Sequence, residues 1–145
     1  MKYTLIAAAA TTALAAAVFA GPAQAHPGGP QFDYDHFQSP SGNISCQIFD
    51  GSQVRCDIVD YTFTPPQEPD GGCGASGFGH SVVLDADGAR FICAGDTVAD
   101  PTAPVLDYDE TTGVGGVECY STSDYLFCSA GDHSFQLARD WYSFL

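Results

Sequence analysis

Cys46-Gln-Ile-Phe-Asp-Gly-Ser-Gln-Val-Arg-Cys56 is the stretch that decides the fold. Asp50-Gly51 sits at its centre, between two apolar stretches. That arrangement is a strong signal for two antiparallel strands joined by a tight turn. The two cysteines then fall at opposed positions, where Cβ atoms approach closely enough for a disulfide. A second stretch has the same plan. Cys119 and Cys128 flank Tyr120 to Phe127, with the polar centre Ser121-Thr-Ser-Asp124. It too reads as strand, turn, strand with a bridge across it.

Working outward, the chain holds six Cys in all, and Cys73 and Cys93 are the remaining two. Six cysteines allow fifteen pairings. The two hairpins favour 46–56 and 119–128, which leaves 73–93. Each bridge closes a short loop and stabilises by about 2–3 kcal/mol through the unfolded chain. No C-x-x-C occurs, so a zinc knuckle or thioredoxin-like site is not expected. A third hairpin is predicted over His80–Leu84 and Arg90–Ala94, around Asp85-Ala-Asp87-Gly88. Ser134–Leu137 reads as one further strand. Ala138–Leu145 reads as a short helical turn, with Leu137, Trp141 and Phe144 on one face. Two long Pro- and Gly-rich loops are expected, over 61–79 and 96–116. Gly42-Asn-Ile-Ser-Cys46 and Gly116-Val-Glu-Cys119 hint at a weak internal repeat. The expected fold class is all-β: a small disulfide-stapled antiparallel domain of six to eight strands, with three hairpins in a barrel or sandwich.

The N-terminus has a different character. Met1-Lys2 precedes an apolar run to Ala20, a Gly21-Pro22 break and Ala23-Gln24-Ala25. This is the spelling of an export signal cleaved between Ala25 and His26. The expected organisation is a signal over 1–25, a flexible arm over 26–38 and a β domain over 39–145. The formal net charge of the whole chain is −14. Removing Lys2 with the signal leaves three Arg against 18 acids, a charge of −15. Such a chain lacks the cationic stripe that nucleic acid requires. It is also repelled by anionic lipid. After cleavage no membrane segment is expected. The expected location is extracellular or in the cell envelope, where disulfides persist.

Ser39-Pro-Ser-Gly-Asn-Ile-Ser-Cys46, Val54-Arg-Cys56-Asp-Ile58 and Cys93-Ala-Gly-Asp-Thr97 resemble small exported actinobacterial proteins described as a domain of unknown function. The resemblance runs over about residues 37–145. It implies an exported protein and no particular activity.

Several constellations are candidates for chemistry. A mature N-terminal His26 could chelate Cu(II) through its amine and imidazole, with His36, His80 or His133 as a further ligand. Asp85-x-Asp87-Gly88 is a fragment of a calcium-loop spelling, without its third acid and final Glu. Asp107-Tyr-Asp109-Glu110 is a denser acidic loop and an equally weak metal candidate. The turn alone accounts for Asp87-Gly88, and no cofactor is expected. Gly74-Ala-Ser76-Gly77 does not match the nucleophile elbow of hydrolases. Arg55 should pair with Asp57 or Asp60, and Asn43 should occupy a left-handed turn position. The leading expectation is a binding or structural module. Its partner would be a basic protein, a cell-wall polymer or a cation, drawn by the acidic field. The alternatives are a secreted hydrolase using His80 or His133 with acids, and an inhibitor of a basic secreted enzyme. The hydrolase requires a pocket around one of those histidines. The inhibitor requires a protruding loop, 61–79 or 96–116, with exposed aromatics.

Overall fold

A computed structural model describes residues 29–145. The export signal and the Ala25–His26 cleavage site lie outside the described residues. The described residues form eleven strands in two sheets. The first sheet is an antiparallel meander of β2 (His36–Gln38), β3 (Ile44–Phe49), β4 (Gln53–Ile58), β5 (Ser81–Asp85) and β6 (Gly88–Phe91), in that order. The second has the order β1-β7-β8-β9-β10-β11: β1 (Gln31–Phe32), β7 (Thr111–Val114), β8 (Val117–Ser121), β9 (Leu126–Ala130), β10 (His133–Leu137) and β11 (Tyr142–Phe144). Among the described residues β1 and β7 are the one parallel strand pair, and Gln38 of β2 makes an isolated parallel bridge with Val105. The sheets face each other mainly through β5, β6, β9, β10 and β11. The all-β, disulfide-stapled expectation holds, as a sandwich.

The Asp50-Gly51 turn forms as the sequence demands. Both residues have positive φ, 51° and 65°, and with Ser52 they form a three-residue connection, since Phe49 opposes Gln53. Cys46 opposes Cys56 and Cys119 opposes Cys128 in the strand registers, each pair with Cα atoms 4.1 Å apart. All four sulfur-bearing side chains are fully buried. The core therefore contains one cystine from each sheet, among Phe37, Ile58, Leu84, Leu106, Phe135 and Leu137. Cys73 joins Cys93 as expected. β8 shows the underlying rule: Val117, Cys119 and Ser121 point inward, while Glu118 and Tyr120 are half-exposed.

Three expectations need correction. Ala138–Leu145 contains no helical turn; Tyr142–Phe144 is β11, paired with β10. The alternation of Tyr142 and Phe144 on one face wins, because both rings pack on Phe91. The arm predicted over 26–38 is in its later part built into the sandwich. Gln31–Phe32 and His36–Gln38 are strands, and Phe37 is fully buried. A hydrophobic side chain placed there finds the core as readily as one after residue 39. Within the predicted loop 96–116, Thr111–Val114 is β7. The strand count accordingly exceeds the predicted six to eight.

The long loops lie against the body. Tyr61, Phe63 and Phe78 from the first join Phe91, Tyr142 and Phe144 in one aromatic cluster. Val98, Ala103 and Leu106 of the second are buried.

Candidate functional site

The strand registers give the sandwich two distinct ends. At one, the β3–β4 turn meets the β7–β8 turn. Gly116 donates its N–H to the Gly51 carbonyl at 2.7 Å. A Cβ on Gly115 would lie 2.5 Å from that same oxygen, so the backbones touch with no room for a side chain. At the opposite end the turns do not meet. A groove of about 990 Å³ lies there.

One wall comes from the first sheet. The turn before β3 is closed by Gly42 N–H to the Ser39 carbonyl at 2.8 Å, and Ser39 Oγ accepts from Ile44 N at 3.1 Å. Asn43 clamps this turn to the end of β4. Its Nδ2 donates to the Asp60 carbonyl at 2.9 Å, and its Oδ1 accepts from Asp60 N at 2.7 Å. Asn43 therefore serves as a clamp, not as a left-handed turn residue; Gly42 carries the positive φ of 70°.

The facing wall comes from the second sheet. In the β8–β9 turn Thr122 Oγ1 donates to the Tyr125 carbonyl at 2.8 Å and accepts from the backbone N–H groups of Asp124 and Tyr125. The β10–β11 turn is closed by Ala138 N–H to the Trp141 carbonyl at 3.0 Å. It presents Arg139, Asp140 and Trp141. Tyr125 and Trp141 meet edge to face, with centroids 5.6 Å apart. Leu126 and Leu137 also line the groove and are buried. Tyr108 reaches the groove from the crossing between the sheets. That crossing is held by Tyr120 Oη donating to Asp109 Oδ1 at 3.0 Å and by Asp109 N–H donating to the Ser121 carbonyl at 2.8 Å.

The residues singled out from sequence lie elsewhere. Neither His80 nor His133 lines the groove. His80 precedes β5 at the groove side of the sandwich. His133 opens β10 near Gly88, at the closed end. The two are not brought together. His36 donates Nε2–H to the Val98 carbonyl at 2.6 Å. Asp85 accepts two hydrogen bonds from Arg90, at 2.8 and 2.7 Å, and one from Asp87 N–H at 2.9 Å. These bonds, the Arg90 pair foremost, hold its carboxyl down at about 2. Asp85 is thus engaged as the anchor of its own hairpin. Asp109 is engaged by Tyr120. Among the described residues no three His, Cys, Asp or Glu side chains cluster to hold a metal.

Arg55 takes Asp57, not Asp60. Its Nε and Nη2 reach the two Asp57 oxygens at 2.9 and 3.1 Å, while Nη1 reaches Asp96 Oδ1 at 2.9 Å. Asp57 Oδ2 also accepts from Val98 N–H at 2.9 Å. Burial alone would raise the Asp57 carboxyl. The bonds from Arg55 and Val98 outweigh it, and the group sits below the ordinary value. This network, centred on the buried Asp57, fastens the crossing segment to β4.

Of the groove residues, Tyr108 falls within the Asp107-Tyr-Asp109-Glu110 stretch and Asp124 within a predicted turn, while Tyr125 and Asp140 carry no motif. Trp141 was placed on a helical face. One signal was available: a lone Trp between two strands, where no alternation demands an aromatic. Among the described residues no helix is long and apolar enough to cross a membrane. Compared with known proteins, the chain matches no family model, no curated protein and no solved structure.

Proposed function

We propose that this protein is an exported binding module that seats an extended ligand in the groove at the open end of the sandwich. One observation carries the reading. Six large hydrophobic residues are exposed among the described residues, and three of them, Val59, Tyr108 and Trp141, border this one groove. They are 69%, 50% and 37% exposed. Scattered apolar residues need no explanation, but their convergence with a concavity marks a contact site. A hydrolase is disfavoured because neither His80 nor His133 lines the groove. An inhibitory loop 61–79 is disfavoured because its aromatics pack into the body, whereas in 96–116 the exposed Tyr108 borders the groove.

Export to the cell envelope or extracellular space is supported by the signal-like N-terminus and by three disulfides. The resemblance to small exported actinobacterial proteins agrees with it. The ligand classes in view are a basic protein, a cell-wall polymer or a cation.

The test is co-sedimentation of the purified protein with isolated actinobacterial cell envelopes. Tyr108→Ala/Trp141→Ala should cut the bound fraction by about tenfold or more, since aromatic anchors dominate such contacts. Circular dichroism should be unchanged. Equal sedimentation of the variant and the parent would overturn the reading.

A further inference from the structure

The polar groups around the groove divide into two kinds. The neutral side chains of Ser39, Asn43 and Thr122 are used up locally. Ser39 Oγ is bonded to Ser41 and to Ile44 N–H. Both functional atoms of the Asn43 amide are bonded to Asp60 backbone. Thr122 Oγ1 makes three bonds within its own turn. The charged ones are not. Among the described residues no hydrogen bond or ion pair engages the carboxylates of Asp60 and Asp140. Asp124 accepts one long contact, 3.4 Å from Ser123 Oγ. Three carboxylates face one guanidinium, that of Arg139.

A glycan needs neutral donors and acceptors, and of these Ser39, Asn43 and Thr122 are already committed. A Lys or Arg side chain needs three other things. It needs an apolar wall for its methylene stem, an aromatic face for its cation and a carboxylate for its head. The groove supplies Val59, then Trp141 and Tyr108, then Asp60, Asp124 and Asp140. The acidic field of the whole chain, −14, attracts the same partner from a distance.

We infer that the groove takes a cationic peptide segment, its Lys or Arg side chains lying along Trp141 and directed at the Asp60, Asp124 and Asp140 carboxylates. This inference rests on the binding-module reading and narrows its ligand.

Trp141 is the only Trp in the chain, so its emission reports the groove directly. The purified protein is titrated with hexalysine, and separately with the neutral glycan chitotetraose. The expected result is a saturable change with hexalysine and none with chitotetraose. Asp124→Asn/Asp140→Asn should weaken hexalysine about tenfold. Asp70→Asn/Asp87→Asn, which removes the same charge from exposed sites elsewhere, should weaken it less than about twofold. Equal weakening by both pairs would mean diffuse attraction and would overturn the inference. A response to chitotetraose alone would overturn it while leaving the groove as the binding site. A response to neither probe would overturn it together with the binding-module reading.

Discussion

The two ends of this sandwich are made from the same kind of part, hairpin turns facing each other across the two sheets. At the closed end the facing residues are Gly51 and Gly115, and the backbones come into contact. At the open end the turns carry Asn43, Asp60, Thr122, Asp124 and Trp141, and a groove remains between them. The difference is one of side-chain size and of where the polar groups go. Two glycines allow backbone to bond to backbone across the sheets, which leaves no surface to a ligand. Larger turn residues bond within their own sheet, Thr122 in its own turn and Asn43 to Asp60, and leave aromatic rings and carboxylates facing outward. Stability therefore concentrates at one end and recognition at the other, and substitutions should separate the two.

The largest effect should come from between the ends, where the buried cystines tie each hairpin together. Cys119→Ala/Cys128→Ala should cost about 2–5 kcal/mol in a urea unfolding experiment. A loss confined to the β8–β9 turn, with an unchanged midpoint, would show that the closed end alone holds the fold. Next comes the closed end itself. Gly115→Ala must move a backbone that now touches Gly51, at a φ of +62° that disfavours Ala. It should cost about 1–3 kcal/mol, while Trp141 emission at the far end stays as in the parent.

A smaller effect is set by pH at the closed end. The Asp85 carboxyl is held at about 2 against an ordinary 3.8. A carboxyl with a lowered folded value stabilises the fold fully above its unfolded value and loses that contribution as pH falls through the folded one. The stability gap between the parent and Asp85→Asn should thus be open at pH 5 and shrink as pH falls from about 4 toward 2. Urea midpoints across that range will show it; a constant gap would mean that the Arg90 pair contributes nothing through ionisation. The smallest effect on stability belongs to the open end. Tyr108→Ala should stay within about 0.5 kcal/mol of the parent by urea unfolding, because it removes an exposed side chain. A larger loss would make Tyr108 a part of the frame and blur the division between the ends.

Much of the closed end was legible in the sequence and little of the open end was. Asp50-Gly51 marks the hairpin but not its register: a two-residue turn would set Cys46 against Arg55, and the three-residue connection 50–52 sets it against Cys56. The Ser121-Thr-Ser-Asp124 centre likewise marks a turn, across which Cys119 opposes Cys128. Asp85-Ala-Asp87-Gly88 was legible as a turn, and the structure adds that its carboxylate holds Arg90. The helical reading of 138–145 failed because eight residues with mixed apolar spacing fit either period. Packing against Phe91 decided for a strand. Residues 31–38 read as an arm because Gly and Pro precede them; their burial depends on pairing with β3, Phe37 opposite Cys46, and on distant contacts such as Thr112 Oγ1 on the Tyr34 carbonyl.

The sequence by itself determined the composition of the protein: an acidic, cysteine-stapled, all-β chain with its turns marked by Asp-Gly and Gly-rich spelling. These features are local, and local chemistry is readable residue by residue. Only the tertiary structure decided that the chain divides into two facing sheets, that one pair of turns closes on glycine, and that Tyr108, Tyr125 and Trp141 converge with acids from three separate segments. A groove is formed by residues distant in the chain, and no periodicity or motif records which of them will face one another.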